Sequence, residues 1–551
     1  MKKGVAILGM TLLGLQLCAQ ESFTRADSLR GGLRPERTNY DLTYYDLEVE
    51  VDPTAKSIKG SVAIQMKQLV SEETQHIQLD LFKNMEVYKI YDENGNNLKF
   101  EREENVIWVT GNQQVQVGQV FEINVDYGGK PIAAKMAPWD GGFDWKEDKN
   151  RNPWIGVACE GIGASLWWPN KDQLLDEPDS MRIAVTVPNG LTAVSNGNLE
   201  SEEPLGNGKT KFNWKVSYPI NNYNVSIYIG KYTHFKDLYN GSEGAYDLDY
   251  YVLEYNKEKA EKQFQQVKPM FDCYEKFLGP YPFPRDGFAL IETPYLGMEH
   301  QSAVAYGNNY LNGYMGHDIS GTGLGMKFDY IIIHETGHEY WGNSVGMSDL
   351  ADMWINEGFC TYSEALYMEC LYGLDTALMY CNGWKSRIEN DKPVIGEYGV
   401  NNEGSGDMYP KAAIMLHTLR WLVKNDELWF STIKDIQRDF RNKTVSTNEI
   451  VAYMNNKLGN DYTWLFDQYL RKTKPPVLEY TAVQKGKNIE LTAQWIGTNT
   501  NFKLPVTFLK KGEKIMETEI LPNPKTIVIP KTKLRDFAID SLHSYFQIKK
   551  H

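Results

Sequence analysis

One segment, Tyr330 to Glu364, constrains this chain more than any other: YIIIHETGHEYWGNSVGMSDLADMWINEGFCTYSE. His334 and His338 stand four residues apart in a stretch that reads as a helix, which puts both imidazoles on one face about 5–6 Å apart at Cβ. That spacing suits two ligands of one metal ion. A catalytic zinc takes three protein ligands and keeps one position for water, so a third donor has to come from elsewhere in the fold. Glu357, in Trp354-Ile355-Asn356-Glu357-Gly358-Phe359 on a second predicted helix, is the candidate. Glu335 follows the first histidine and points beside the metal, where a general base for a zinc-bound water belongs. By chance a His-Glu-x-x-His run arises on the order of once per hundred chains of this composition. Apolar Tyr330-Ile331-Ile332-Ile333 before it, and Gly337 and Gly342 within and after it, do not suit a solvated amphipathic helix.

HETGHEYWGN followed by WINEGF closely resembles the gluzincin aminopeptidase family, which includes aminopeptidase N and the leukotriene hydrolase-aminopeptidases. The resemblance implies a zinc exopeptidase with one zinc per chain, acting on peptides with a free amino terminus. Further roles follow from matching phrases. Tyr409, in Tyr409-Pro410-Lys411-Ala412-Ala413, resembles the family's Tyr-x-Lys-Gly-Ala and is expected to donate a hydrogen bond to the developing oxyanion. Glu299, in Leu296-Gly297-Met298-Glu299-His300, resembles Gly-x-Met-Glu-Asn; Leu296 and His300 depart from that phrase, while the carboxylate that would hold the substrate's ammonium group is kept. Glu160, nine residues before Pro169, is the second ammonium candidate. Glu364 lies seven residues beyond Glu357, two turns along one helix face, and is placed to orient His334 through its second nitrogen. The remaining histidines are isolated in sequence and read as structural.

At 551 residues the chain is too long for one core. Met1 to Ala19 read as a cleaved secretory signal: Lys2 and Lys3 precede an apolar run from Val5 to Leu17 that is too short to span a membrane. A lipid anchor at Cys18 is the rival, disfavoured because Leu17 is not small. The expected location is therefore periplasmic or extracellular, possible envelope association included, with no later transmembrane segment. The formal net charge is −14, and −16 once the two signal lysines are removed. With no Lys/Arg cluster to displace counterions, nucleic-acid binding is excluded, and the spread acidity modestly favours cationic peptides. Five cysteines follow the signal without regular spacing; Cys360 and Cys370 are expected as free, core-packing residues.

Short alternating strands fill Asn39 to about Phe235, with turns at Asp52-Pro53 and Asn94-Gly95. This β domain also resembles the family's first domain in Pro169-Asn170-Lys171-Asp172 and Val194-Ser195-Asn196-Gly197. Helical periodicity starts near Lys257, and Ser446-x-x-Glu449 is a capping box. Lys474-Pro475-Pro476 reads as a linker, after which strand patterns return. The expected architecture is multi-domain α+β. It has an N-terminal all-β saddle or sandwich (20–255), a thermolysin-like, mostly helical zinc domain (256–473) and a small C-terminal β-sandwich (474–551). The large helical carboxy-terminal domain of many family members is not expected from this pattern, which leaves open what would replace a basic residue that such members contribute from it to hold a substrate carboxylate. Two rivals stay open: a zinc endopeptidase with an open cleft, which has no use for Glu299 and Glu160, and a catalytically silent envelope protein that binds peptide or glycan.

Overall fold

The computed structural model describes residues 22–71, 75–111 and 115–551; the expected signal segment and Cys18 lie outside them. Among the described residues the chain forms an N-terminal β-rich domain, a helical middle domain and a C-terminal β domain.

The first domain is organised on Tyr40–Asp52, the central strand of a seven-stranded sheet, which pairs antiparallel with Ser57–Gln68 and parallel with Ser180–Pro188. Leu47, Val49 and Val51 alternate inward as their period-two spacing dictates, and Asp52-Pro53 turns the chain. A second, four-stranded sheet contains Gly142–Glu147 and Pro153–Ala158, and the latter delivers the chain directly to Glu160.

In the middle domain a five-stranded sheet ends on Gly297–Met298, immediately before Glu299. Around it pack the helices Val267–Phe277, Tyr330–Tyr340, Trp354–Tyr372 and Pro410–Val423, with their apolar faces in one continuous core. Ser446 and Glu449 form the expected capping box on Thr447–Leu458. Trp464 packs edge-on against Phe502 with centroids 5.1 Å apart, so the C-terminal domain, a four-stranded and a three-stranded sheet, shares the middle domain's core.

Two expectations are corrected. The hairpin Tyr232–Gly241 and Gly244–Leu253, assigned above to the first domain, belongs to the middle domain's sheet. Gly244–Leu253 pairs in parallel with Phe288–Glu292, and Leu248, Tyr250 and Val252 are buried in the helical core. Local alternation identifies a strand but does not say which sheet it joins. Cys370, expected to be free, is disulfide-bonded to Cys273, 97 residues earlier; the bond links Val267–Phe277 to the helix bearing Glu357. Cys159, Cys360 and Cys381 are free and buried.

Candidate active site

Asp329 fixes where the histidine helix begins. Its carboxylate accepts the backbone N–H groups of Ile331 and Ile332 and also hydrogen bonds from Tyr306 Oη, Asn308 and Gln263. Gly337 lets the next helix approach: a Cβ there would lie 2.8 Å from Cys360 Sγ, and that thiol donates to the His334 carbonyl. The glycine that weakens the helix as an isolated element therefore permits the contact that aligns the two helices.

That alignment brings three donor atoms together. His334 Nε2 and His338 Nε2 are 3.3 Å apart, and Glu357 Oε2 is 3.4 and 3.3 Å from them. Three ligands about 2.0–2.1 Å from a tetrahedral zinc are separated by roughly 3.3–3.4 Å, so the spacing fits the ion. Glu357 Oε2 is buried without a hydrogen-bond partner, as a ligand atom should be. The outer nitrogens are already engaged: His334 Nδ1 lies 2.8 Å from Glu364 Oε1 and His338 Nδ1 lies 2.9 Å from the Trp341 carbonyl. These partners hold the Nδ1–H tautomers and leave both Nε2 lone pairs free for a metal. Glu364 in turn accepts a hydrogen bond from Tyr380 Oη at 2.5 Å, and Tyr330 stacks on His334 with centroids 4.9 Å apart.

Glu335 is buried against Gly297, where an added Cβ would meet its Oε1 at 3.0 Å. Burial pushes its carboxyl up to about 7, opposed by the two imidazoles and reinforced by Glu299 and Glu357. Tyr409 immediately precedes the helix Pro410–Val423 and its hydroxyl donates to Glu357 Oε1 at 2.9 Å, so in this structure it is engaged with a ligand carboxylate.

Carboxylate oxygens of Glu160, Glu299 and Glu357 lie within 4.8 Å of one another. Burial, then the neighbouring acids, raises the pKa of Glu160; burial also raises that of Glu299, with His338 opposing. An ammonium group placed among them restores the missing positive charge. The cleft, of about 840 Å³, adds Asp140, Glu389 and Glu403 to its walls, and among the described residues Arg387 is the single Lys or Arg that lines it.

Sequence reasoning missed the residues that hold Glu299. Tyr223 Oη donates to Glu299 Oε1 at 3.2 Å, and Asn343 Nδ2 donates to the Glu299 carbonyl at 2.7 Å. Glu339, one residue after His338, accepts the Ser302 N–H at 2.8 Å. Asn343 and Glu339 stand inside the HETGHEYWGN phrase, whereas Tyr223 carries no local signal. The Val194-Ser195-Asn196-Gly197 turn braces the same loop, through Asn196 Nδ2 on the Gln301 carbonyl and the Gly197 N–H on Ser302 Oγ. His300 is a buried core residue bonded to Tyr228 Oη, with burial pushing its pKa down to about 3.

Two imidazoles one helical turn apart, a glutamate from the following helix and an acid beside them, set in an acidic cleft, define a metallopeptidase-type site. The Peptidase family M1 domain matches residues 262–469 and the Peptidase M1 N-terminal domain matches residues 42–223. The chain belongs to peptidase family M1. It is 28% identical over 198 residues to a glutamyl aminopeptidase of Rattus norvegicus, covering 35% of this chain and 20% of that one. It is 21% identical over 506 residues to a probable aminopeptidase 1 of Sulfurisphaera tokodaii, covering 85% and 58%. It therefore spans a fifth to under three fifths of these relatives' length. An M1 zinc metallopeptidase from Deinococcus radiodurans, solved as a mutant bound to a Tyr-ser-ala substrate, shares the fold with a TM-score of 0.65 at 18% identity, covering 79% of this chain and 94% of that one.

Proposed function

We propose that this chain is a zinc-dependent aminopeptidase that removes residues from the amino terminus of peptides in the periplasm or outside the cell. The observation that carries this reading is the pair of acids, half-buried Glu160 and buried Glu299, beside the His334–His338–Glu357 triad. A carboxylate pair in the cleft beside the metal ligands has a use when the substrate's ammonium group sits there, one residue from the scissile bond. An endopeptidase has none for it.

Held by His334, His338 and Glu357, zinc would polarise the scissile carbonyl and acidify a water. Glu335 takes a proton from the attacking water as its oxygen bonds to the carbonyl carbon. Tyr409, whose hydroxyl donates to Glu357 Oε1 before substrate binds, turns that hydrogen bond to the oxyanion and stabilises it. As the C–N bond breaks, Glu335 passes the proton to the departing amine, so atoms and charge balance. Glu299 and Glu160 accept hydrogen bonds from the ammonium group throughout, and Glu364 keeps His334 in its ligating tautomer. Export rests on Lys2, Lys3 and the apolar run after them, and is supported by the Cys273–Cys370 disulfide, a bond that persists in oxidising compartments.

The test is a timed digest of one peptide with free and acetylated amino termini, read by mass spectrometry. Stepwise loss of single residues from the free form alone is expected; internal cuts in the acetylated form at comparable rate would overturn the reading. Glu299→Ala should weaken free-amine substrates by roughly ten- to hundred-fold in kcat/KM, the value of a lost charge-assisted bond.

A further inference from the structure

Residues 22–38 form two short helices, Arg25–Gly31 and Pro35–Thr38, that join none of the sheets. They are nevertheless firmly seated. The buried Arg37 guanidinium pairs with Asp80 and donates to the Arg30 carbonyl; Gln78 Nε2 donates to the Leu29 carbonyl at 2.9 Å; Leu29 is buried.

From this anchored base Arg30 reaches the loop that carries Glu160. Its Nη2 donates to the Gly161 carbonyl at 2.9 Å, and the same carbonyl accepts Asn401 Nδ2 at 3.1 Å. One oxygen, next in sequence to Glu160, thus ties together the N-terminal segment, the first domain and a loop of the middle domain. Gly163 makes room for this: its φ is +93°, and a Cβ there would lie 2.1 Å from Asp172 Oδ2 and 2.5 Å from Arg30 Nη2. Asp172, the last residue of the Pro169-Asn170-Lys171-Asp172 phrase, also accepts Ser165 Oγ. On the other side Gly31 is pressed onto the middle domain, where a Cβ would come within 2.5 Å of the Asn401 and Val400 backbone nitrogens.

Glu160 needs such support. Its Oε1 is buried without a hydrogen-bond partner and shares its space with Glu299 and Glu357. An unpaired carboxylate among like charges is pushed outward. Its position has to be imposed through the backbone. We infer that residues 22–38 are a strap that holds Glu160 in the cleft, and that Arg30, through the Gly161 carbonyl, is the positioning residue by which it acts. The inference rests on the reading of Glu160 as an acceptor for the substrate's ammonium group.

The experiment uses the full zinc-loaded enzyme and its best-cleaved aminoacyl fluorogenic amide, comparing Arg30→Met, Arg30→Lys, Glu160→Gln and the Arg30→Met/Glu160→Gln double variant. Glu160→Gln and Arg30→Met should each raise KM about ten-fold, with kcat within about two-fold and zinc content unchanged. In the double variant the second change should add less than about two-fold, because both remove one interaction. Arg30→Lys should recover part of the loss. A merely structural arginine would lower the melting temperature and leave this KM pattern unmoved, which overturns the inference. If Glu160→Gln raises KM while Arg30→Met does not, the strap is wrong and the ammonium reading stands; if Glu160→Gln itself leaves KM unchanged, that reading fails and takes the inference with it. Should Arg30→Met prove insoluble, Asn401→Ala removes the other donor to Gly161: a KM rise of about three-fold that vanishes in the Glu160→Gln background supports the strap, and an unchanged KM overturns it.

Discussion

The two ends of the cleft are built on opposite plans. The metal corner draws His334, His338, Glu357 and Glu364 from two helices, 330–340 and 354–372, separated by 13 residues. The ammonium corner draws Glu160, Tyr223 and Glu299 from three distant segments, and is steadied by Arg30, Asn343 and Asn401 from three more. In the first, helix geometry and one close helix contact fix the donors. In the second, a correct site exists only once the first domain, the strap and the middle domain have docked. Damage near the metal corner should therefore appear in turnover or metal content, and damage near the other in substrate affinity.

The largest effect expected separates chemistry from ligation within the metal corner. Glu335→Gln should lower kcat by about 10²–10⁴, the usual worth of a general base, while zinc measured by elemental analysis stays near one per chain. Loss of zinc along with activity would make Glu335 a ligand or a structural residue. Chelation of the wild type should abolish hydrolysis, and added zinc should restore it.

Tyr409 sharpens the comparison, because it touches a ligand and faces the cleft. As an oxyanion donor, Tyr409→Phe should reduce kcat by about 10²–10³ with little change in KM. If zinc affinity falls and kcat at saturating zinc is preserved, the hydroxyl serves Glu357 alone.

Glu364 tests how far the metal corner extends. Glu364→Ala removes the partner of His334 Nδ1 and should weaken zinc binding by about 10–100-fold in competition with a chelator, with kcat recovering in excess zinc. Unaltered zinc affinity would reduce Glu364 to a packing residue.

The smallest effect on activity concerns the Cys273–Cys370 bond, which braces the ligand-bearing helix far from its first turn. Cys273→Ser with Cys370→Ser should lower unfolding stability by about 2–5 kcal/mol while leaving kcat within about two-fold. Unfolding in denaturant with and without reductant measures it. An equal stability in both forms would refute the brace.

Most of the metal corner was readable because its information is local: a spacing of four on a helix decides where two imidazoles point, whatever surrounds them. The capping box at Ser446 was readable for the same reason. The strand pattern of 232–253 was equally clear, yet its sheet was not, since alternation encodes which face is buried and not against what. Cys370 looked like a core residue because nothing within its own helix reveals Cys273 across the packing.

By itself, then, the sequence determined the class of chemistry: the two imidazoles, the adjacent acid, the third ligand and, through matching phrases, the acids expected to meet the substrate. Only the tertiary structure decided that Glu160 and Glu299 meet beside Glu357, that Tyr223 and Asn343 hold one of them, and that Arg30 reaches the loop of the other. The hydrogen bonds among them join residues 44 (Asn343 and Glu299), 76 (Tyr223 and Glu299) and 131 (Arg30 and Gly161) positions apart in the chain, and are fixed by how domains pack, a property that no local period or motif carries.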